Sequence, residues 1–195
     1  MTLSLSTEPL FIPVILGTPR QERWSQPVAE FVTAQLSLWP GVETMLVDIR
    51  DLPLPVTGAG EDIKDPAFSE LCMRADGFVI VAPEYNHGYP GLLKHVLDTN
   101  LKEYIHKPVG ICGVSAGGFG GTRVIENLLP VMRELGLVTI FWDGNFSNVR
   151  KLFGPDGEPL DPAYFKRVHK FAKELIWMAK VLRYGRESVA LESGS

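Results

Sequence analysis

The chain reads as an α/β protein built on an open, doubly wound sheet of five parallel strands, and three observations predict it. Its short β-rich runs are nearly continuous in apolar residues, the mark of strands covered by helices on both faces. Amphipathic segments of helical period alternate with those runs along most of the sequence. The 195 residues, 45% hydrophobic and 22% charged, suit one ordinary globular domain whose core needs neither metal nor disulfide.

The strand runs fall at 12–16, 44–49, 78–82, 109–114 and 137–142. After the first, Val28, Phe31, Val32, Gln35 and Leu36 share one helical face. After the second, Phe68, Leu71, Cys72 and Ala75 share another, which turns Cys72 toward the core. Leu93, Val96 and Leu97 form a short stripe after the third. Val124, Ile125, Leu128, Leu129, Met132 and Leu135 form a longer one after the fourth, with Gly136 placed to stop it. The last helix aligns Phe165, Val168, Ala172, Leu175, Ile176, Ala179 and Leu182. Asp65-Pro66 and Asp161-Pro162 each set an N-cap acceptor before a proline at the first helical position. Segment 143–160, rich in Gly, Pro and Asn, reads as a long connection. No repeat or second domain interrupts the order, so a single domain is expected over 1–195, with its core at 10–184 and a frayed tail at 185–195.

Composition removes several function classes. The net charge is −4 and Lys and Arg are spread along the chain, so no basic run follows a nucleic-acid backbone. No apolar stretch approaches the ~18 residues of a membrane span. The opening MTLSLSTEPLFIPVILG is broken too early by Glu8, Pro9 and Pro13 to be a signal peptide, which leaves a cytoplasmic protein as the expectation. Cys72 and Cys112 show neither C-x-x-C nor metal spacing and read as buried thiols. None of the four histidines pairs with Cys, Asp or Glu at metal spacing, so no metal is expected.

A doubly wound sheet binds ligands beyond the carboxyl ends of its strands. The first such loop, Gly17 to Pro27, enters a helix whose free N–H groups and dipole suit a phosphate. Thr18 and Ser25 add hydroxyls and Arg20 a forked cation, although an ordinary loop with a solvated arginine would read the same way. It lacks G-x-G-x-x-G and the P-loop lysine, so one terminal phosphate fits better than a pyrophosphate. The third loop, PEYNHGYPG at 83–91, is a stiff platform in which His87 lines a pocket rather than transferring a proton. The fourth, GICGVSAGGFGG at 110–121, contains G-x-S-x-G, the pattern of a hydrolase nucleophile elbow around Ser115. Glycines straight after that serine oppose the helix an elbow requires, and His169, the one histidine placed after it, lies within the last helix. A dinucleotide enzyme with Asp48 on a ribose is disfavoured too, because Asp48 lies too far beyond Gly17 and the glycine fingerprint is missing.

The string PEYNHGYPGLLKHVLD at 83–98 resembles the signature of the NADPH-dependent FMN reductase family, a branch of the flavodoxin-like fold. GTPRQERWS is similar to that family's phosphate loop, VDIRDLPLP at 47–55 to its segment after strand two, and SAGGFGGTR to its Gly-rich fourth loop. Two departures stand out: Pro19 stiffens the phosphate loop, and Thr99-Asn100 replace a common tryptophan. The resemblance implies a flavodoxin-like three-layer sandwich. It implies that Thr18, Arg20, Ser25 and Gln26 hold the FMN phosphate, and that Pro83, Glu84, Tyr85, Asn86 and His87 edge the ring. Ser115, Ala116, Gly117 and Gly118 would lie against its pyrimidine side. The activity implied is hydride transfer from NADPH or NADH through FMN to a small acceptor such as a quinone, free flavin or azo dye, with no catalytic side chain. A homodimer or homotetramer is implied as well. An electron carrier or FMN-bound sensor without NADPH turnover is the alternative.

Overall fold

A computed structural model describes residues 8–190 of the chain. The first seven residues, which belong to the opening segment weighed above as a leader, and residues 191–195 of the expected tail lie outside the described residues.

The first two expected strands are each a pair of short segments. β1 (Leu10–Phe11) runs parallel to β3 (Val42–Glu43), and β2 (Val14–Leu16) to β4 (Leu46–Asp48), at the same register offset. Pro13 explains the gap, since it has no N–H for the ladder. The amides of Ile12 and Val14 still reach Glu43 O and Met45 O at 2.9 and 2.8 Å, so the two chains stay paired across it. β5 (Phe78–Pro83) and β6 (Pro108–Val114) are long and wholly buried. With β7 at Val138–Thr139, the main sheet is ordered β4-β2-β5-β6-β7 and every pairing is parallel. Strands in the sequence order 2-1-3-4-5 make the flavodoxin-like doubly wound topology.

The fifth strand departs from expectation. It does not run through to Trp142 but divides into β7 (Val138–Thr139) and β8 (Gly144–Phe146), both paired with β6. Between them the chain takes five steps, Thr139 to Gly144, opposite three on β6, Val109 to Cys112. The two extra residues bulge outward, leaving Phe141 77% and Trp142 37% exposed. The expected long connection therefore contains β8 and a 3₁₀ turn at Val149–Lys151.

Side-chain alternation on the strands fills two cores. Val14, Leu16, Val79, Val81, Cys112 and Val114 face α1 (Ser25–Ser37) and the last helix. Ile15, Phe78, Ile80, Ala82, Val109 and Ile111 face α2 (Pro66–Arg74), α3 (Gly91–Asp98) and α4 (Thr122–Glu134). Both faces being covered is why the runs read as continuously apolar. Asp65 caps α2 by accepting from Phe68 N at 2.8 Å, and Gly136, at φ +73°, closes α4 while Leu137 N returns to Met132 O at 2.9 Å.

The last helix, α5 (Ala163–Ser188), continues past the expected core boundary at 184. Tertiary contacts hold that end. Arg183 binds both oxygens of Asp76 and the carbonyls of Glu8 and Pro9, and Arg186 donates to Asp76 Oδ1 at 3.1 Å and to His106 O at 2.8 Å. Nearby, buried Lys107 donates to the carbonyls of Cys72 and Met73 at 2.7 and 2.8 Å, closing the end of α2. Burial, with the charge of Arg186, pulls its ammonium down to about 8.

Candidate functional site

Three strand ends meet at the carboxyl edge of the sheet, where a winding reversal leaves a crevice. The loops after β2, β5 and β6 line a cleft of ≈ 350 Å³ whose walls include Arg20, Ser25, Pro83, Glu84, Tyr85, Ser115 and Ala116. An open cleft of ≈ 380 Å³ adjoins it, sharing Glu84, Ser115 and Ala116 and adding Asn86, His87 and Gly117. Most of the residues singled out in the sequence are thus brought together. Thr18 sits fully buried beneath the first cleft, its hydroxyl 3.0 Å from the Tyr85 hydroxyl. Gln26 turns away, donating to Glu30 at 2.8 Å. Gly118 is exposed beside Gly117, outside both linings.

The loop after β2 is shaped by an arginine the sequence reading passed over. Arg23 is buried, donates to Thr18 O at 2.6 Å and forks onto both oxygens of Asp48 at the end of β4. Burial alone would raise the Asp48 carboxyl, but the Arg23 hydrogen bond, the Arg50 amide and both guanidinium charges hold it below the usual carboxylate range. Arg20 is the solvent-facing member: its guanidinium lies 3.8 Å over the Tyr85 ring and has no ion pair among the described residues. Ser25 opens α1 with its hydroxyl buried and without a partner among the described residues.

After β5 the chain makes a tight turn. Tyr85 N donates to Gly88 O at 2.9 Å and Gly88 N to Tyr85 O at 3.0 Å. Asn86 and His87 both take positive φ, +50° and +66°, the signature of a type I′ turn. Asn and His are among the non-glycine residues that tolerate this region best. Glu84 Oε1 accepts from Arg123 at 3.1 Å, while its Oε2 is buried without a partner among the described residues.

The glycines after β6 divide by cause. Gly121, at φ +73°, would put a Cβ 2.4 Å from Val114 N, so the fold itself demands glycine there. Gly117 and Gly118 would place a Cβ against nothing within 4 Å. No protein contact explains them; they leave a bare backbone surface beside the cleft. Ser115 donates to Gly117 O at 2.9 Å, and α4 starts only at Thr122, so no nucleophile elbow forms. His169 stacks on Trp39 with centroids 4.8 Å apart, away from this loop.

Arg150 also lines the first cleft and was not expected, since it stands in the connection 143–160 without any motif. Val149 N donates to Ser115 O at 3.1 Å and Asn148 N to Gly117 O at 2.9 Å, which brings that segment against the Gly-rich loop. Arg123, the last residue of the SAGGFGGTR string, holds Glu84, a role the string alone does not reveal.

The arrangement suits a flat, anionic ligand. Of the four buried side-chain polar atoms without a partner among the described residues, three belong to residues that line the first cleft: Arg23 Nε, Ser25 Oγ and Glu84 Oε2. Buried polar atoms are normally bonded, so this concentration marks a place where a ligand supplies the missing partners. Among the described residues no helix is long and apolar enough to cross a membrane, and no cluster of His, Cys, Asp or Glu could hold a metal ion.

Comparison with known proteins agrees with this geometry. Residues 11–147 match the family described as NADPH-dependent FMN reductase. An NADPH azoreductase from Bacillus sp. (strain OY1-2) is 33% identical over 92% of this chain and 98% of its own length. A 2-hydroxy-1,4-benzoquinone reductase from Burkholderia sp. is 33% identical over 66% of this chain and 73% of its own. The solved structure of a flavoenzyme NAD(P)H:(acceptor) oxidoreductase from Paracoccus denitrificans superposes with a TM-score of 0.68, covering 87% of this chain and 98% of that one. At 20% identity that last likeness speaks for the fold alone. The family match covers most of the chain, including the loops after β2, β5 and β6, and on that ground the chain belongs to the NADPH-dependent FMN reductase family.

Proposed function

We propose that this protein is an FMN-dependent NAD(P)H oxidoreductase that reduces small acceptors such as quinones, azo dyes or free flavin. The observation that carries the reading is the buried, unpartnered Ser25 hydroxyl in a cleft with Arg20 and Arg150, neither of which has an ion pair among the described residues. Hydrogen-bond donors and free guanidiniums at a helix N-terminus fit a terminal phosphate.

Ser25, Arg20 and Arg150 would hold the phosphate. Thr18 would serve by fixing the Tyr85 hydroxyl, and Gln26 by its place in the first turn of α1. Pro83, Glu84, Tyr85, Ser115 and Ala116 would flank the ring. Asn86, His87, Gly117 and Gly118 would border the open side, where nicotinamide and acceptor take turns. The chemistry supplied by FMN, when bound, is acceptance of hydride from NADPH or NADH and its release to the acceptor. The chain's own part is binding, orientation and the electrostatics of the cleft, so no side chain is assigned a catalytic proton transfer. A cytoplasmic homodimer or homotetramer completes the proposal.

The purified protein is expected to show a flavin absorption spectrum, to release FMN on denaturation, and to oxidise NADPH faster when a quinone is added. A colourless protein that takes up no FMN would overturn the reading. A yellow protein that never consumes NADPH would make it a carrier or sensor instead.

A further inference from the structure

The bulge between β7 and β8 creates a second cavity, on the sheet face covered by α5 and away from the Tyr85–Gly88 turn. Its volume is ≈ 340 Å³, within the range of small-molecule sites. The walls are aromatic: Trp142, Phe146, Tyr164 and Phe171. Phe146 and Tyr164 stack with centroids 5.3 Å apart, which fixes both rings in the wall. At the floor, a Cβ on Gly144 would come within 2.5 Å of Cys112 Sγ, so glycine is required there.

Two cations belong to this lining, Arg167 and Lys170, and neither has an ion pair among the described residues. Each instead rests on a wall ring: Lys170 Nζ lies 3.1 Å from the Trp142 centroid and the Arg167 guanidinium 4.9 Å from that of Tyr164. A cation held on an aromatic face is positioned in advance and still has donors to offer. Asp143 is the lining's one carboxylate. Burial, with the charge of Glu126, raises its carboxyl above the usual carboxylate range.

We propose that this cavity is a second ligand site, taking a flat aromatic ring that carries a single anionic group such as a carboxylate or sulfonate. The ring lies among the four aromatic walls and the anion meets Arg167 and Lys170. The site is separate from the flavin cleft yet joined to it through β8. On one side that strand lends Phe146 to the cavity; on the other, Phe146 O accepts from Ser115 N at 3.0 Å and Asn145 donates to Gly120 O at 3.3 Å.

The test is calorimetric titration of the FMN-saturated protein with naphthalene-2-sulfonate, set against its neutral counterpart naphthalene-2-sulfonamide. One sulfonate is expected to bind per chain, at least tenfold more tightly than the sulfonamide. The double variant Arg167→Gln/Lys170→Gln, changed at two exposed positions, should lose at least tenfold in sulfonate affinity while its FMN affinity is unchanged. Trp142→Ala should weaken sulfonate and sulfonamide alike. Equal binding of the two probes, an unaffected double variant, binding that disappears when FMN is saturating, or no binding at millimolar probe would each overturn the site.

Discussion

The two ends of the sheet carry similar charged residues and use them in opposite ways. At the amino end, Asp76 accepts from Phe11 N at 2.9 Å and from Arg183 and Arg186, and Arg183 gives two further donors to backbone carbonyls. At the carboxyl end, Arg20 and Arg150 have no ion pair among the described residues, and Ser25 and Glu84 each bury an oxygen without a partner. Charge alone does not separate a structural cluster from a binding one. Unused hydrogen-bonding capacity gathered in one place does: among the described residues the amino end leaves the Tyr104 hydroxyl without a partner, whereas the cleft gathers three such atoms, and an unsatisfied buried group is costly unless something outside the chain completes it.

The largest effect should come from the saturated end. Asp76→Ala removes the common acceptor of two arginines and an amide, leaving all three groups short of a partner. Removing one member of a buried ion pair costs about 3–5 kcal/mol. Arg183 keeps its bonds to the carbonyls of Glu8 and Pro9, so the lower end applies, about 3 kcal/mol. For a chain of this size that is a fall in Tm of roughly 6–12 °C by calorimetry. FMN affinity well below the transition should be unchanged. A variant that loses FMN without losing Tm would break the division between the ends.

Ser25→Ala probes the other end and should behave in reverse. The hydroxyl is buried and unpartnered, so its removal should leave the Tm of the flavin-free protein unchanged or slightly raised. A hydrogen bond to a charged phosphate is worth about 1.5–3 kcal/mol, which corresponds to FMN binding weakened by roughly 10–150-fold in a fluorescence titration. Unaltered FMN affinity would remove Ser25 from the phosphate site.

The same contrast explains what was legible in the sequence. Continuous apolar runs announced β5 and β6 because alternate residues feed two separate cores, and the Asp65-Pro66 cap is a purely local signal. The turn Tyr85–Gly88 was legible as a platform, since its type depends on residues adjacent in sequence. The bulge after Thr139 was not: Phe141 and Trp142 look like strand residues, and only the register against β6 shows two residues too many. Nor were the roles of the two arginines in the first loop. Arg20 was read as a cation free for a ligand and stands exposed, but Arg23 three positions on is buried by Asp48, a partner 25 residues away. Arg150 enters the cleft only because Asn148 and Val149 bond the Gly-rich loop. Likewise α5 passes residue 184 because Asp76, more than a hundred residues earlier, holds Arg183 and Arg186. Local patterns were readable; pairings across the sheet were not.

The smallest effect sharpens the comparison at the saturated end, where even a well-bonded charge bears a desolvation cost. Burial, with the charge of Arg186, brings Lys107 down to about 8 from its ordinary 10.5. Between those values the unfolded chain keeps a proton that the folded chain has released, so stability rises with pH from this group. The gain begins near pH 8 and is opposed above about pH 9, where the buried Cys72 thiol, pushed up to about 12 by burial, stays protonated in the fold while it ionises in the unfolded chain. Urea denaturation from pH 7 to pH 9 should therefore show the wild type gaining stability relative to Lys107→Met. That variant should also be less stable at every pH in the range, because the Cys72 and Met73 carbonyls lose their donor. A constant difference between the two proteins from pH 7 to pH 9 would mean that Lys107 keeps its ordinary charge and that the amino end is as free of electrostatic cost as its bonding suggests.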